Sequence, residues 1–213
     1  MDVGKRKEVQ ASSTPAKAHP AARPPSQSRG QARVDAILDA AAAVIAGEGP
    51  AAVTMHGLAR RARTSIGSLY HFFPDRDSVL QALIERHEAA GREINEVLDA
   101  IPRNVWRQFS SAETISRLVE PYIDYVQNHP DFIALMHGRR LPENFLRAVR
   151  NVLDIRLPAL SAADREHYTI MFHAIASGVM HAVFVREPER VGASMNEIPR
   201  VLAAYLADIE AAR

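Results

Sequence analysis

The chain contains no cysteine among its 213 residues. Disulfide bonds and thiolate metal sites are therefore excluded, because both need a cysteine sulfur. An excess of charge of one sign is also missing: 26 Lys and Arg residues nearly balance 25 Asp and Glu residues, for a formal net charge of +1. A nucleic-acid function would therefore have to depend on a local basic surface and not on the charge of the whole chain.

Membrane and secretion segments are absent from the sequence as well. No apolar run approaches the length that spans a bilayer, and the N-terminus lacks the apolar segment of a secretory signal peptide. The sequence therefore predicts a cytoplasmic protein with no membrane partner. Its length is sufficient for one or two small domains with a hydrophobic core.

Residues 1–29 differ in composition from the rest of the chain. They are rich in Pro, Ala and Ser, carry six basic and two acidic residues, and offer almost nothing to bury. We predict that this segment is a disordered tail. Two roles are open for it: a solvated tail, which its sparse and proline-interrupted charges favour, or a basic arm that contacts DNA.

Helical periodicity follows residue 29 and continues nearly to the end of the chain. The apolar residues of "RVDAILDAAAAVIAGEG" repeat at helical spacing, and Gly47, Gly49 and Pro50 end this first helix. Because no alternating strand pattern and no internal repeat is found, the predicted fold class is all-α. Later helices are predicted over about residues 75–100, 111–128, 131–137, 142–156, 162–186 and 196–211.

The stretch "VTMHGLARRARTSIGSLYHFF" contains two short helices joined by a tight turn, which is the pattern of a helix-turn-helix. Thr54 is predicted to cap the first helix and Ser65 the second. In a helix-turn-helix the second helix enters the major groove by its N-terminal end. Gly67 and Ser68 are small residues at that end, so they let the backbone approach DNA closely and leave its N–H groups near phosphate.

The rest of this second helix alternates between polar and apolar side chains. Tyr70 and His71 offer polar tips on flat rings, which suit contacts to phosphates and base edges. Leu69 and either Phe72 or Phe73 must then turn inward to attach the helix to its neighbours. We therefore predict that Tyr70 faces DNA, whereas the direction of His71 is open.

The segment from about Val34 to Leu83 resembles the DNA-binding domain of the tetracycline-repressor (TetR) family of bacterial transcription regulators. The resemblance depends on the Ala-rich first helix, Gly49, Thr54, "LA..A", "S.GSLY.FF" and the Asp-rich turn, which follow one another in family order. It implies a three-helix helix-turn-helix domain over residues 30–76, followed by a larger helical effector-binding and dimerisation domain over residues 77–213. It also implies a homodimer that binds double-stranded DNA at a palindromic operator.

The resemblance also places the DNA contacts. Ile66 is apolar where a polar base contact might be expected, and it could touch a thymine methyl group instead. The family's DNA contacts fall, by position, on Thr54, Met55, His56, Ser65, Ile66, Gly67, Ser68, Tyr70, His71 and Arg76.

Two features depart from the family pattern. Arg63 and Thr64 stand where the family usually has Gly-Val, and an arginine with positive φ costs about 1 kcal/mol. Arg63 would make the turn less rigid or add a phosphate contact. Gly57 stands where the family has a better helix former, and it costs roughly 0.5–1 kcal/mol against Ala.

A stripe of small residues marks the long predicted helix near the C-terminus. Small side chains four residues apart let two helix backbones approach closely. The stripe either packs inside one subunit or forms a two-fold dimer interface with the last helix, and the resemblance favours the second alternative. The residues predicted for this interface are Ala174, Gly178, Ala182, Val201 and Tyr205.

Large apolar side chains with few polar tips are concentrated between these two regions. This composition is typical of a small-molecule pocket and equally of a helical core, so both interpretations stay open for each residue. The residues proposed to line a pocket for a small apolar or aromatic effector are Trp106, Phe109, Tyr122, Tyr125, Phe132, Met136, His137, Phe145, Met171 and His173.

Enzyme motifs do not match the sequence. "GEGPAA" follows a helix and not a strand, so it is not a dinucleotide-binding loop, and no two histidines have the spacing of a zinc helix. The resemblance implies a DNA-binding repressor that a small effector releases, and no cofactor, metal or catalytic residue is predicted. The alternatives are an activator or ligand-independent regulator of the same fold, a helical enzyme using Glu120, Asp124 or His173, and an interaction module.

Overall fold

The computed structural model describes residues 25–136 and 143–212. These residues form helices and no strand, which confirms the predicted all-α class. Two short 3-10 turns, Pro50–Ala52 and Pro188–Arg190, connect some of the helices. The helices are α1 (Pro25–Glu48), α2 (Met55–Arg61), α3 (Ile66–Phe72), α4 (Arg76–Asp99), α5 (Arg103–Gln108), α6 (Ser111–Asn128), α7 (Asp131–Met136), α8 (Glu143–Arg156), α9 (Ala162–Arg186), α10 (Val191–Met195) and α11 (Glu197–Ala211).

The long helices begin and end close to the predicted positions. Periodicity did not predict α5 and α10, because helices of 6 and 5 residues are too short to show it. The N-terminus of α1 differs from the prediction: α1 begins at Pro25, so residues 25–29 are helical and not disordered. A proline is compatible with the first turn, where its missing N–H is not needed. The remainder of the predicted tail, residues 1–24, lies outside the described residues.

Side-chain caps set the start of the short helices. The Thr54 hydroxyl accepts a hydrogen bond from the Gly57 N–H at 3.2 Å, and the Ser65 hydroxyl accepts one from the Ser68 N–H at 3.1 Å. Both predicted caps are therefore confirmed. Asp75 begins α4 with a reciprocal capping box, which fixes the direction in which this long helix leaves α3.

Two hydrophobic cores lie along the chain. The first contains the buried side chains of α1, α2, α3 and the first half of α4, and it also includes Leu135 of α7. The second contains the buried side chains of α5, α6, α8 and α11, with Leu98 of α4 and Phe172 of α9. Helix α4 is therefore shared by both cores, and α7 fixes the first core to the C-terminal helices.

The helix α9 is long and apolar enough to cross a membrane when it is judged by length and composition alone. The expectation that no segment approaches that length is therefore wrong for α9. The physical reason is that α9 is apolar on two sides: one side packs on α8, α10 and α11, and the other is exposed on this chain. The core helix of a soluble protein can meet the same criterion of length and composition, so the criterion alone does not identify a membrane span.

Candidate DNA interface and regulatory core

The two faces of α3 have opposite environments. Leu69 is fully buried and Phe73, just beyond the helix, is 6% exposed, so these side chains attach α3 to the first core. Tyr70 is 47% exposed although it is a large aromatic residue, and His71 is also exposed. The His71 ring lies edge-on to Phe72 at 5.1 Å, which directs it along the surface. Both side chains are therefore available to another molecule.

The N-terminal end of α3 is free of side-chain obstruction. A Cβ added to Gly67 would meet nothing within 4 Å, so no packing inside the chain requires a glycine there. Ser68 is half-buried, and its hydroxyl accepts a hydrogen bond at 3.3 Å from Nη1 of Arg33 in α1. Sequence analysis did not select Arg33, because nothing in its local pattern shows that α1 lies beside α3.

Side chains at the start of α2 also differ in exposure. Thr54 and His56 are exposed and lie near the start of α2. Met55, in contrast, is only 9% exposed and belongs to the first core. Its side chain is therefore unavailable to DNA, and its assignment as a DNA contact needs this correction. Ile66 is half-buried and packs against the same core, so only part of its side chain remains accessible.

Arg76 has a role inside the chain as well. Its Nη2 donates a hydrogen bond of 2.7 Å to the Pro50 carbonyl, which holds the turn after α1 against the start of α4. Its side chain is 40% exposed, so the guanidinium still reaches the surface. Arg63 has φ of 51°, which confirms that this turn needs a left-handed residue.

The glycine inside α2 has a local packing reason. A Cβ added to Gly57 would lie 2.8 Å from the Thr54 hydroxyl oxygen, which is the oxygen that caps the helix. A larger residue would therefore force the capping side chain to move. The low helix propensity of Gly57 destabilises α2, and the Thr54 cap that this glycine accommodates offsets that loss.

The residues proposed for one effector pocket are divided between the two cores. Trp106 and Phe109 form one ring pair beside α8, where Arg156 donates hydrogen bonds to both of their backbone carbonyls. Met136 packs against the first core, because α7 carries it onto α1. His137 lies outside the described residues. Trp106, Phe109, Tyr122, Phe132 and Phe145 lie in or against the second core, so a pocket among these residues stays a prediction.

Two smaller groups of the proposed pocket residues do lie in contact. Tyr122 lies edge-on to Phe145 at 5.1 Å, and Phe145 lies 6.1 Å from His173. Burial lowers the pKa of the His173 imidazole. Met171 is half-buried in the same helix as His173. Phe132 and Tyr125 belong to the second group, which surrounds His87 of α4.

His87 is the centre of a buried polar network. Its Nε2 lies 3.0 Å from Asp131 Oδ2, and its Nδ1 lies 2.6 Å from the Tyr125 hydroxyl. Because a carboxylate only accepts, Nε2 donates to Asp131, and in the neutral ring Nδ1 accepts from Tyr125. Burial opposes ionisation of Asp131, but the hydrogen bond and attraction of His87, with help from Arg86, outweigh it and lower its pKa. The network joins α4, α6 and α7.

A groove of about 530 Å³ opens beside this network, and we call it the junction groove. It lies between α1, the middle of α4 and the loop that joins α6 to α7. Of the predicted pocket residues, only Tyr125 lines it. Sequence analysis missed the groove because its floor consists of alanines, which look like ordinary helix formers.

The surface of α9 that carries the small-residue stripe is exposed. Ala174, Gly178 and Ala182 are all exposed, and a Cβ added to Gly178 would meet nothing within 4 Å. Ile170 and Val185 are 43% and 68% exposed and extend the stripe at both ends. The described residues of the chain therefore do not cover the stripe. Val201 of α11 is 46% exposed, and Tyr205 is half-buried against Phe172.

The residues considered for a helical enzyme do not converge. Glu120 and Asp124 are exposed on α6, and Glu120 accepts a hydrogen bond from Ser116, whereas His173 is half-buried in α9. Within the described ranges, no group of His, Asp and Glu side chains is arranged to hold a metal ion.

Comparison with known families agrees with this architecture. Residues 37–83 match the family described as bacterial regulatory proteins, tetR family, and residues 111–206 match the family described as tetracyclin repressor-like, C-terminal domain. The two matches together span about two thirds of the chain and cover both cores. No curated protein matches the sequence.

Solved structures share the fold. A TetR-family transcriptional regulator from Streptomyces coelicolor is 22% identical, with a TM-score of 0.62, over 85% of this chain and 99% of that chain. SmeT, the repressor of a Stenotrophomonas maltophilia multidrug efflux pump, is 22% identical, with a TM-score of 0.58, over 83% and 91%.

FadR from Bacillus subtilis, solved in complex with stearoyl-CoA, is 13% identical, with a TM-score of 0.58, over 79% of this chain and 97% of that chain. At these identities the likeness shows the fold alone. The two family matches, the helix-turn-helix of α2 and α3 and the helical C-terminal domain together show that the chain belongs to the TetR family of transcriptional regulators.

Proposed function

We propose that this protein is a homodimeric repressor that binds a palindromic DNA operator and is released by a small-molecule effector. The observation that carries the DNA-binding part is the division of α3 into a buried inner face and an exposed outer face. Tyr70 is exposed beside Gly67, whose lack of a side chain has no explanation within the chain. A duplex that approaches the start of α3 would explain both features.

The phosphate contacts would come from several elements around α3. Arg33 extends from α1 to Ser68, and exposed Thr54 and Ser65 cap the N-termini of α2 and α3. Backbone N–H groups at helix N-termini attract phosphate. Met55 is left out of this interface because its side chain is buried.

The dimer would use the exposed stripe on α9 together with α11. From Ile170 to Val185 the stripe is about 22 Å long, which suits close contact with a second helix over most of its length. Two copies related by a two-fold axis would bury it against itself, and they would place two α3 helices on one side of the dimer.

The effector would act by changing the separation of the two α3 helices. Helix α4 belongs to both cores, so a ligand that favours one packing of the C-terminal helices would move the DNA-binding domain with it. Structural neighbours were solved with stearoyl-CoA, triclosan and choline, which have little chemistry in common. We infer an effector with apolar or aromatic surface. An activator or a ligand-independent regulator is the alternative.

A selection from random DNA tests the proposal. Purified protein is incubated with random-sequence duplexes at low salt, and the bound fraction is sequenced. We expect an inverted repeat whose half-sites are separated by about one helical turn or slightly more. A bacterial promoter that this protein regulates should carry that repeat. Failure to enrich any sequence would contradict the proposed function.

A further inference from the structure

The junction groove has the size of a small-molecule site and a position between the two domains. Its volume of about 530 Å³ falls within the range of roughly 300–1,000 Å³ that is usual for ligand pockets. One wall is α1 of the DNA-binding domain, the second is α4, and the third is the end of α6 with the start of α7. A molecule bound there would touch both domains at once.

The floor of the groove is apolar and made of small side chains. Five alanines line it: Ala42, Ala43, Ala46, Ala89 and Ala90. Because they come from two adjacent helices, their methyl groups leave a shallow space that larger side chains would fill. Such a floor suits a flat apolar body of a ligand.

The rim of the groove is electronegative. The carboxylates of Asp39, Glu93 and Asp131 and the guanidinium of Arg86 line it, but Asp131 is only 3% exposed and is paired with His87. Arg86 is committed to Asp39, with Nη1 to Oδ1 at 2.6 Å. For Glu93, which is exposed, no ion pair is found in the described part of the chain. The unbalanced charge of the rim is therefore negative.

The pKa of Tyr125 responds to the negative charges near the groove. Burial is the largest cause that raises the pKa of the Tyr125 hydroxyl to about 12, and the carboxylates of Asp131 and Glu93 raise it further against the opposing effect of Arg86. The ring of Tyr125 stacks on His129 at 4.0 Å, and both rings line the groove. Aromatic rings beside carboxylates are the environment that stabilises an organic cation.

We propose that the junction groove binds a small organic cation with an aromatic body, its cationic group near Glu93 and its ring over the alanine floor. Tyr125 and Asp131 line the groove and also hold His87 of α4. A bound cation would therefore act on the residues that fix α4 and α7 to one another, and it would bridge α1 to them. The proposed effect on regulation rests on the proposed function, whereas the proposed binding of the cation does not.

Binding is tested without DNA by recording alanine methyl NMR spectra of the full chain. The probe is benzyltrimethylammonium, and benzyl alcohol and benzylsulfonate provide a neutral and an anionic head on the same phenylmethyl body. We expect saturable shifts of the groove alanines with the ammonium compound and weaker or no shifts with the other two. Glu93→Gln should weaken binding about three- to fivefold, as expected for loss of one partly exposed charge.

A steric variant supplies the matched control. Ala46→Phe fills the groove from an exposed position on α1 and should abolish the shifts, whereas Ala112→Phe, at an exposed position on α6 outside the groove, should leave them unchanged. Equal binding of the sulfonate, shifts confined to other alanines, or full binding by Ala46→Phe would each overturn the proposal.

The regulatory part is measured separately, as affinity for a duplex selected by the wild-type protein. Saturating benzyltrimethylammonium should change that affinity at least about threefold in the wild type and in Ala112→Phe, and not in Ala46→Phe. No affinity for any duplex, with intact binding of the cation, would contradict the proposed function alone. Unchanged DNA affinity with a saturated groove would overturn the regulatory part of this inference.

Discussion

The imidazole of His87 in α4 donates a hydrogen bond to the carboxylate of Asp131 at the start of α7, with 3.0 Å between Nε2 and Oδ2 and only 3% of either residue exposed. Four residues after Asp131, Leu135 enters the first core. This pair therefore attaches the helix that packs on the DNA-binding domain to the helix shared by both domains. Loss of either partner would leave the other polar group buried.

Asp131→Asn should lower the free energy of unfolding by about 1–3 kcal/mol, because an amide replaces the charged acceptor of a buried hydrogen bond. The pKa of Asp131 is lowered in the folded state, so its contribution is complete above the unfolded value of about 4 and is lost as pH falls through the folded value. Urea denaturation at pH 7 and pH 3 should show a smaller difference between wild type and variant at the lower pH. Asp124→Asn, at an exposed position of α6, is the control. A difference that grows toward pH 3 would contradict this role.

Gly67→Ala should separate stability from DNA binding. A methyl group there meets nothing within 4 Å, and Ala is favoured over Gly inside a helix, so the free energy of unfolding should rise by about 0.5–1 kcal/mol. DNA affinity should fall, because the methyl group enters the space that the duplex is proposed to occupy. Thermal unfolding and fluorescence anisotropy on a selected duplex measure the two effects. Unchanged affinity would mean that the start of α3 does not approach DNA closely.

Arg63→Gly tests the two roles left open for this arginine. Arg63 has φ of 51°, and relief of that conformation by glycine should raise the free energy of unfolding by about 1 kcal/mol. If Arg63 also contacts a phosphate, the variant should bind every duplex more weakly, with a smaller dependence on salt. If the arginine only loosens the turn, DNA affinity should stay the same or improve. Arg61→Gln, at an exposed position at the end of α2, is the control for loss of charge alone.

Tyr70 and Ser68 should differ in what their loss does to DNA binding. Tyr70→Ala should weaken binding to all sequences, because an exposed ring beside the proposed groove suits phosphate contact. Ser68→Ala should change the preferred bases, since a hydroxyl at the start of the helix can reach a base edge. Selections repeated with each variant distinguish the two outcomes. A changed consensus for Tyr70→Ala, with wild-type affinity, would reverse these roles.

The helices and the buried and exposed faces of α3 followed from local patterns. Thr54 and Ser65 cap helices because of residues within one turn of them, and Leu69 and Tyr70 have opposite environments because of helical periodicity. Local patterns of this kind are present in the sequence itself. They were therefore sufficient to predict the fold class and most helix boundaries.

The sites that were not predicted depend on contacts between distant segments. Arg33 meets Ser68 across 35 residues, and His87 meets Asp131 across 44. Met55 stands at a position where the family resemblance implies a DNA contact, but its side chain is buried in the first core. The residues proposed for one pocket lie partly in the second core and partly, as with Met136, against the first, because composition does not specify which helices are neighbours.

Gly178→Leu tests the proposed dimer without a conflict inside the subunit. A Cβ at this position meets nothing within 4 Å, and leucine is favoured over glycine in a helix, so the folded monomer should tolerate the change or become more stable. Across a two-fold axis the added side chain is present twice, and overpacking costs about 1–3 kcal/mol each time.

Sedimentation velocity should therefore show a dimer for the wild type at micromolar concentration and a dissociation constant raised at least about thirtyfold for Gly178→Leu. Ala162→Leu, at an exposed position on the opposite side of α9, should leave the dimer intact. Cooperative binding to a full palindrome should fall with dimerisation, whereas thermal unfolding of Gly178→Leu should not show a loss of helix. A monomeric wild type, or a variant that dimerises normally, would mean that the exposed stripe from Ile170 to Val185 is covered by something other than a second copy.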